Sequence, residues 1–342
     1  MSAVPRLAHM VPGWYASVMG LAGLALAWQA AAGLLGPLAT TVATVIAALA
    51  ALVFALLAVC TVLRGLRHPE AWREDRRHPV RHAFVATLPV SLLLLATAAV
   101  ALRGPDVLAQ ALWWAGSLSL IGVTVWVLAR WWQSTVSATG PAGGPAAGPA
   151  VASWAGVTPA LLIPVVGNVL APLAGVPLGH ADWAAAQFGI GLVFWPVVMA
   201  LLLARIVAHG MFAERLLPTA FIVVAPPAAS ALALLALGAP PPVAWALWGA
   251  ALLSLLWALT TAPRLRVLPF ALPHWALSFP LAVFTALTLE LAGPAGLLAS
   301  AGIALLALTT LVIAALALAT LRGLRNGSLL VPEPVPLPVR VA

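Results

Sequence analysis

The sequence predicts an all-α integral membrane protein with ten transmembrane helices, arranged as five tandem helical hairpins. Three observations carry this. Hydrophobic residues make up 63% of the chain and charged residues only 7%, against roughly 25% charged in soluble domains. Apolar stretches of about 20 residues, each enough to cross ~30 Å of hydrocarbon as a helix, recur along the whole length. The arginines also sort onto one side of such a membrane. The stretches lack the alternation of barrel strands, and a backbone in lipid must satisfy its own hydrogen bonds, as a helix does.

The segments run at 13–34, 38–63, 83–102, 107–131, 153–174, 183–207, 218–237, 243–262, 269–292 and 296–321. In the first, Gln29-Ala30-Ala31-Ala32 imitates a signal-peptide cleavage site, yet the segment reads as a retained helix. The second holds the lone cysteine, Cys60, so no intrachain disulfide can form. Residues 134–152 are rich in Ala, Gly and Pro and read as a flexible inner loop. The tail at 327–342 is proline-rich and reads as extended. The whole chain forms one transmembrane domain.

With the N-terminus in the cytoplasm, fifteen of the sixteen arginines fall on the inner face and only Arg103 on the outer. The positive-inside rule then places both termini in the cytoplasm. Every basic residue is arginine, and Ala, Gly and Pro abound, as in the products of GC-rich bacterial genomes. The expected location is a bacterial inner membrane.

Prolines separate the hairpin members. Segments 3, 5, 7 and 9 carry Pro89, Pro164, Pro226-Pro227 and Pro280, and segment 1 carries Gly20 and Gly23. Among the even segments only the sixth has an interior proline, Pro196. Proline removes a backbone donor and bends a helix. Unpaired carbonyls at membrane depth are tolerated only beside protein or a water-filled cavity. The odd segments are therefore expected as an inner ring of bent helices around a central path, and the even ones as a straighter outer ring. The competing reading is that the kinks only help packing.

Four stretches carry a family resemblance. They are Pro12-Gly13-Trp14-Tyr15 through Met19-Gly20-Leu21, and His78-Pro79-Val80-Arg81-His82-Ala83-Phe84. Pro218-Thr219-Ala220-Phe221 through Val224-Ala225-Pro226-Pro227, and Trp275-Ala276-Leu277-Ser278-Phe279-Pro280, complete the set. In this order, over essentially the full length, the chain resembles the plant slow-type anion channels and the bacterial TehA-type tellurite-resistance proteins. That family also includes C4-dicarboxylate and sulfite transporters. The resemblance implies five hairpins around a pore, a homotrimer with one pore per subunit, and a phenylalanine gate at the position of Phe279.

The residues support several roles. Phe279 beside Pro280 can close a narrow path sterically and by dewetting; the bland reading is ordinary packing. Glu290 lies eleven residues further on, about three turns along one face. It reads either as a pH-sensitive group at the outer mouth or as a residue snorkelling to the interface. Arg73, Arg76, Arg77 and Arg81 form a candidate cytoplasmic anion funnel. The same arginines can contact acidic lipids or simply fix topology. The histidines lack zinc spacing, and no metal, cofactor or nucleic-acid partner is expected. No convergent acid, base and nucleophile suggests an enzyme. The expected function is a gated channel for small inorganic anions, with membrane lipids as the other contacts. The alternative is a secondary transporter of C4-dicarboxylate, sulfite or tellurite-type anions, with Glu290 available for proton coupling.

Overall fold

The computed structural model describes residues 6–133 and 154–331, in which all regular structure is helical. The predicted loop at 134–152 and most of the tail at 327–342 lie outside the described residues. The main helices are α1 (Ala16–Ala30), α2 (Pro37–Arg67), α3 (Thr87–Arg103), α4 (Val107–Gln133) and α5 (Pro159–Gly175). They continue as α6 (Ala181–His209), α7 (Ala225–Ala236), α8 (Pro241–Leu259), α9 (Ser278–Glu290) and α10 (Leu297–Arg325). Among the described residues, eight helical stretches are long and apolar enough to cross a membrane, while α1 and α5 are shorter. Segment 5, expected from residue 153, begins its apolar helix only at Pro159 and is itself interrupted by a 3-10 turn at Gly167–Leu170.

Each turn after an odd helix contains one glycine at positive φ: Gly36 (68°), Gly104 (84°), Gly179 (82°), Gly238 (84°) and Gly296 (111°). Other side chains are strained in that region, so glycine lets each reversal stay short. The next helix then starts with its own signal. Pro37 and Pro241 open α2 and α8 at the first helical position, where no N–H is missed. Asp106 caps α4 by accepting the Ala109 N–H at 2.6 Å. That bond, and the Arg103 guanidinium beside it, hold the Asp106 carboxyl below its ordinary pKa.

Burial alternates along the chain. The apolar windows of Arg81–Arg103, Glu214–Ala236 and Leu272–Glu290 are 67–72% buried, whereas that of α2 is only 11% buried. On α2, Leu38, Val45, Leu49, Leu52, Leu56, Val59, Leu63 and Leu66 are exposed, three or four residues apart after the first interval. That spacing is one helical face, here turned outward as a lipid-facing stripe. The odd helices pack on one another: α1 on α3 and α9, α7 on α5 and α9, and α3 on α5.

The prolines sit differently from the kinks expected. Each odd helix starts from 3-10 backbone, at Pro12–Tyr15, Arg81–Ala86, Pro159–Leu161, Glu214–Val224 and Leu272–Leu277. Pro89, Pro164, Pro226, Pro227 and Pro280 lie within the first three residues of the α-turns that follow. They mark the change from 3-10 to α rather than bends inside an α-helix. The N–H groups of Thr87, Leu162, Ala225 and Ser278 donate back into the preceding 3-10 turn, and the prolines that follow leave carbonyls of that turn without a helical donor. Pro196 of α6 is the proline inside a regular α-helix.

Small residues bring the helices together. A Cβ on Gly20 would stand 2.6 Å from the Ser278 Cβ, and one on Gly23 would stand 3.1 Å from the Phe279 ring. Close backbone approach of this kind drives helix association in lipid, where the hydrophobic effect is silent. Polar side chains add specific links. The Trp28 indole donates to Thr310 at 3.1 Å, Trp275 to Thr320 at 2.9 Å and Trp248 to Thr288 at 3.0 Å. Each of those threonines also donates to its own helix four residues back, so both hydroxyl roles are used.

Broken α5 is held by a buried polar chain. Trp183 donates to Ser117 (2.8 Å), and Ser117 to Gln187 (2.6 Å). Gln187 donates to Asn168 (2.9 Å), Asn168 to Thr124 (2.9 Å), and Thr124 to the Pro164 carbonyl (2.5 Å). The side chains of α4 and α6 thereby engage a carbonyl beside the irregular backbone.

Gly20→Ala should overpack the α1–α9 contact and lower stability by about 1–3 kcal/mol, read as a lower melting temperature in detergent. Gly33→Ala, whose Cβ would meet nothing within 4 Å, should not lower the melt and gains the better helix propensity of alanine. Equal melts for both would contradict the tight contact.

Candidate functional site

The odd helices line a narrow apolar cavity. Every one of them contributes: Met19 from α1, Val90 from α3, Val166 from α5, Ala229 from α7 and Phe279 from α9. Pro226 and Pro280 line it as well. Phe279 is 7% exposed, and its ring lies against the face opened by Gly23.

The polar side chains of the inner helices do not line this cavity. Ser91, Ser278, Thr285 and Thr288 donate to carbonyls three or four residues back on their own helices, and Asn168 belongs to the α4–α6 chain. Such local bonds use up hydroxyls that would otherwise be free to face a ligand.

A second hollow opens at the 3-10 ends of α1, α3, α7 and α9. Ala16, Phe84 and Ala276 line both spaces and form the neck between them. This vestibule is lined by His78, Arg81 and Arg215 among apolar neighbours. The His78 Nδ1 accepts the backbone N–H groups of Val80 and Arg81 at 3.1 Å each. Those two donors place the neutral ring's proton on Nε2.

Carboxylates fix Arg81. Its guanidinium donates to Asp75 and Glu74 at 2.9 Å each. Asp75 is fully buried and also pairs with Arg64 at 2.6 Å. Asp75 lies on a short helix, Pro69–Arg77, which leads from α2 toward the vestibule.

The predicted funnel is thus divided. Arg81 lines the vestibule, while Arg73, Arg76 and Arg77 stand on the exposed side of the short helix and do not line it. Glu290, the last residue of α9, is exposed and lies outside the cavity lining. Of the predicted kink residues, Pro89, Pro164 and Pro227 are buried but do not face the cavity. Sequence reasoning passed over Phe84 and Arg215. Arg215 precedes an odd helix as Arg81 does, and comparing the entrances of segments 3 and 7 would have found it.

Buried helices around an apolar cavity with a basic mouth are the build of a multi-pass membrane channel or transporter. Residues 9–321 match the family model described as voltage-dependent anion channel (SLAC1), and the chain belongs to that family. An uncharacterized transporter of Methanocaldococcus jannaschii is 22% identical over 80% of this chain and 82% of its own length. The tellurite resistance protein TehA homolog of Haemophilus influenzae is 25% identical over 79% of this chain and 77% of its own. The S-type anion channel SLAH2 of Arabidopsis thaliana is 25% identical over 65% of this chain and 40% of its own.

Asp75→Asn should lower stability by about 3–5 kcal/mol, the usual result of stripping one partner from a buried ion pair. Glu74→Gln removes an exposed partner and should change stability by about 0–1 kcal/mol. Chemical denaturation of the two variants checks the contrast, and equal effects would rule out a structural role specific to Asp75.

Proposed function

We propose that the protein is an anion-selective channel whose central path runs along the odd helices and is closed by Phe279. One observation carries this reading: all five odd helices line an apolar cavity that meets a vestibule holding Arg81 and Arg215. The ten helices are read as ten spans in five hairpins, set in a bacterial inner membrane with both termini and the vestibule cytoplasmic. The arginines would raise the local anion concentration at the vestibule. Beyond the neck, the lining offers no charge or strong donor, so an anion meets a dewetted barrier rather than a trap. The family resemblance further suggests a homotrimer with one path in each subunit.

Phe279→Ala should raise passive anion flux into proteoliposomes by about tenfold or more, the factor given by about 1.4 kcal/mol off a barrier. Wild type and variant are compared at matched incorporation under a fixed membrane potential. No gain from a folded variant would remove the gate from Phe279. Flux that needs a proton gradient, and loses that need in Glu290→Gln, would instead assign coupled transport.

Arg215→Gln should lower flux several-fold at ~0.01 M salt and far less at ~1 M, where the screening length falls from about 30 Å to about 3 Å. Flux that is unchanged at low salt would exclude a field effect from Arg215.

A further inference from the structure

A third hollow lies outside the inner ring. It sits between α2, α3 and α4, with Met10, Pro12 and Tyr15 at the entry to α1 closing its inner side. Thr61 and Arg64 of α2, Leu88 and Pro89 of α3, and Ser119 and Val123 of α4 form its walls. Trp72 of the Pro69–Arg77 helix also lines it. Ser119 is exposed, so the cleft opens sideways. The exposed apolar stripe of α2 runs down to Leu66, three residues before the short helix begins.

The Pro69–Arg77 helix has two faces. Trp72 and Asp75 turn inward, whereas Arg73, Arg76 and Arg77 are exposed. Spacings of three and four residues put those three arginines on one side. The helix is firmly placed. Asp75 pairs with Arg64 at 2.6 Å, and Arg64 also donates to the Ala71 carbonyl at 3.4 Å. At the other end Arg130 of α4 donates to the Arg76 and Arg77 carbonyls at 2.6 and 3.4 Å.

These features select an occupant. The cleft wall is almost wholly apolar, so it suits a hydrocarbon chain rather than a free ion. The charged group in its wall, Arg64, is committed to Asp75 and to the Ala8 and Ala71 carbonyls. An anionic headgroup must therefore be met by the exposed arginines. Basic clusters at the end of a membrane helix attract acidic lipids, and tryptophan favours the headgroup level.

We propose that the cleft binds one anionic phospholipid of the adjoining leaflet. An acyl chain lies against Trp72, Leu88, Pro89 and Val123, and the phosphate lies over Arg73, Arg76 and Arg77. The occupant touches α3 at Pro89, where the 3-10 backbone carrying Arg81 and Phe84 becomes α-helical. It therefore bears on the helix that supplies part of both the neck and the vestibule.

The test measures lipid retention on purified full-length protein by native mass spectrometry, without any flux readout. Phosphatidylglycerol and phosphatidylcholine with the same acyl chains are compared. Wild type should prefer phosphatidylglycerol by about fivefold or more, roughly the contribution of one basic side chain near an anionic surface. Arg73→Gln/Arg76→Gln/Arg77→Gln should bring the ratio near one. Ser119→Trp, which fills the open side, should reduce retention of both lipids, and Val123→Phe provides a second filling variant. Unchanged melting temperatures show that the variants are folded. Equal retention of both lipids by wild type would overturn the headgroup assignment. Undiminished retention in both filling variants would overturn the cleft. Loss of oligomer mass in the filling variants, with lipid retention intact, would assign the groove to a second copy of the chain instead.

Discussion

A peptide group in hydrocarbon has no water to fall back on, and this constraint shapes the molecule. All five odd helices begin in 3-10 geometry, whose hydrogen bonds are poorer than those of an α-helix and rarely extend beyond a few residues. The stretch at Glu214–Val224 is eleven residues long. Such backbone would be costly against lipid. Here it lies behind long, regular α-helices whose outward faces are apolar. Shielding by the even helices is thus a condition for the odd ones to be irregular, and irregular backbone is what surrounds the cavity. The polar chain from Trp183 to Pro164 shows the same logic at one site, where α4 and α6 supply partners to broken α5.

Charge and apolarity are kept apart along the path. The cavity has an apolar lining, and the nearest arginines stand in the vestibule beyond the Phe84 neck. Glu74 and Asp75 partly neutralise Arg81 while fixing its position. A strong cationic site inside the cavity would hold an anion too tightly for rapid passage, since conduction needs favourable arrival and easy departure. On the proposed channel reading, charge placed at the mouth would raise local concentration without creating a deep well. The same carboxylate, Asp75, joins the vestibule to the surface helix and to α2, so the mouth is tied to the molecule's outer layer.

Much of this was legible in the sequence because hydropathy and charge act over long windows. The apolar segments and the difference in burial between odd and even helices follow from such patterns, whereas Phe279 was singled out through the family resemblance. The proline geometry was not legible. A proline inside an apolar run looks like a kink, and only the hydrogen-bond register shows that Pro89 or Pro280 stands at the start of an α-turn. The arginine loop was only partly legible for a similar reason. Arg77 and Arg81 are four residues apart, yet a helix ends between them and only Arg81 reaches the vestibule. Phe279 and Glu290 share one helix, Ser278–Glu290, and Glu290 is its exposed last residue, a position that suits a group at the mouth and one at the interface alike.

The absence of lysine acquires a meaning at the mouth. All sixteen basic residues are arginine, and guanidinium keeps its proton at any pH a cell can reach. The positive field of Arg81 and Arg215 is therefore constant, indifferent to acidification or alkalinisation of the bathing solution. What sets its reach is the ionic strength of that solution, which screens it, and not the solution's pH.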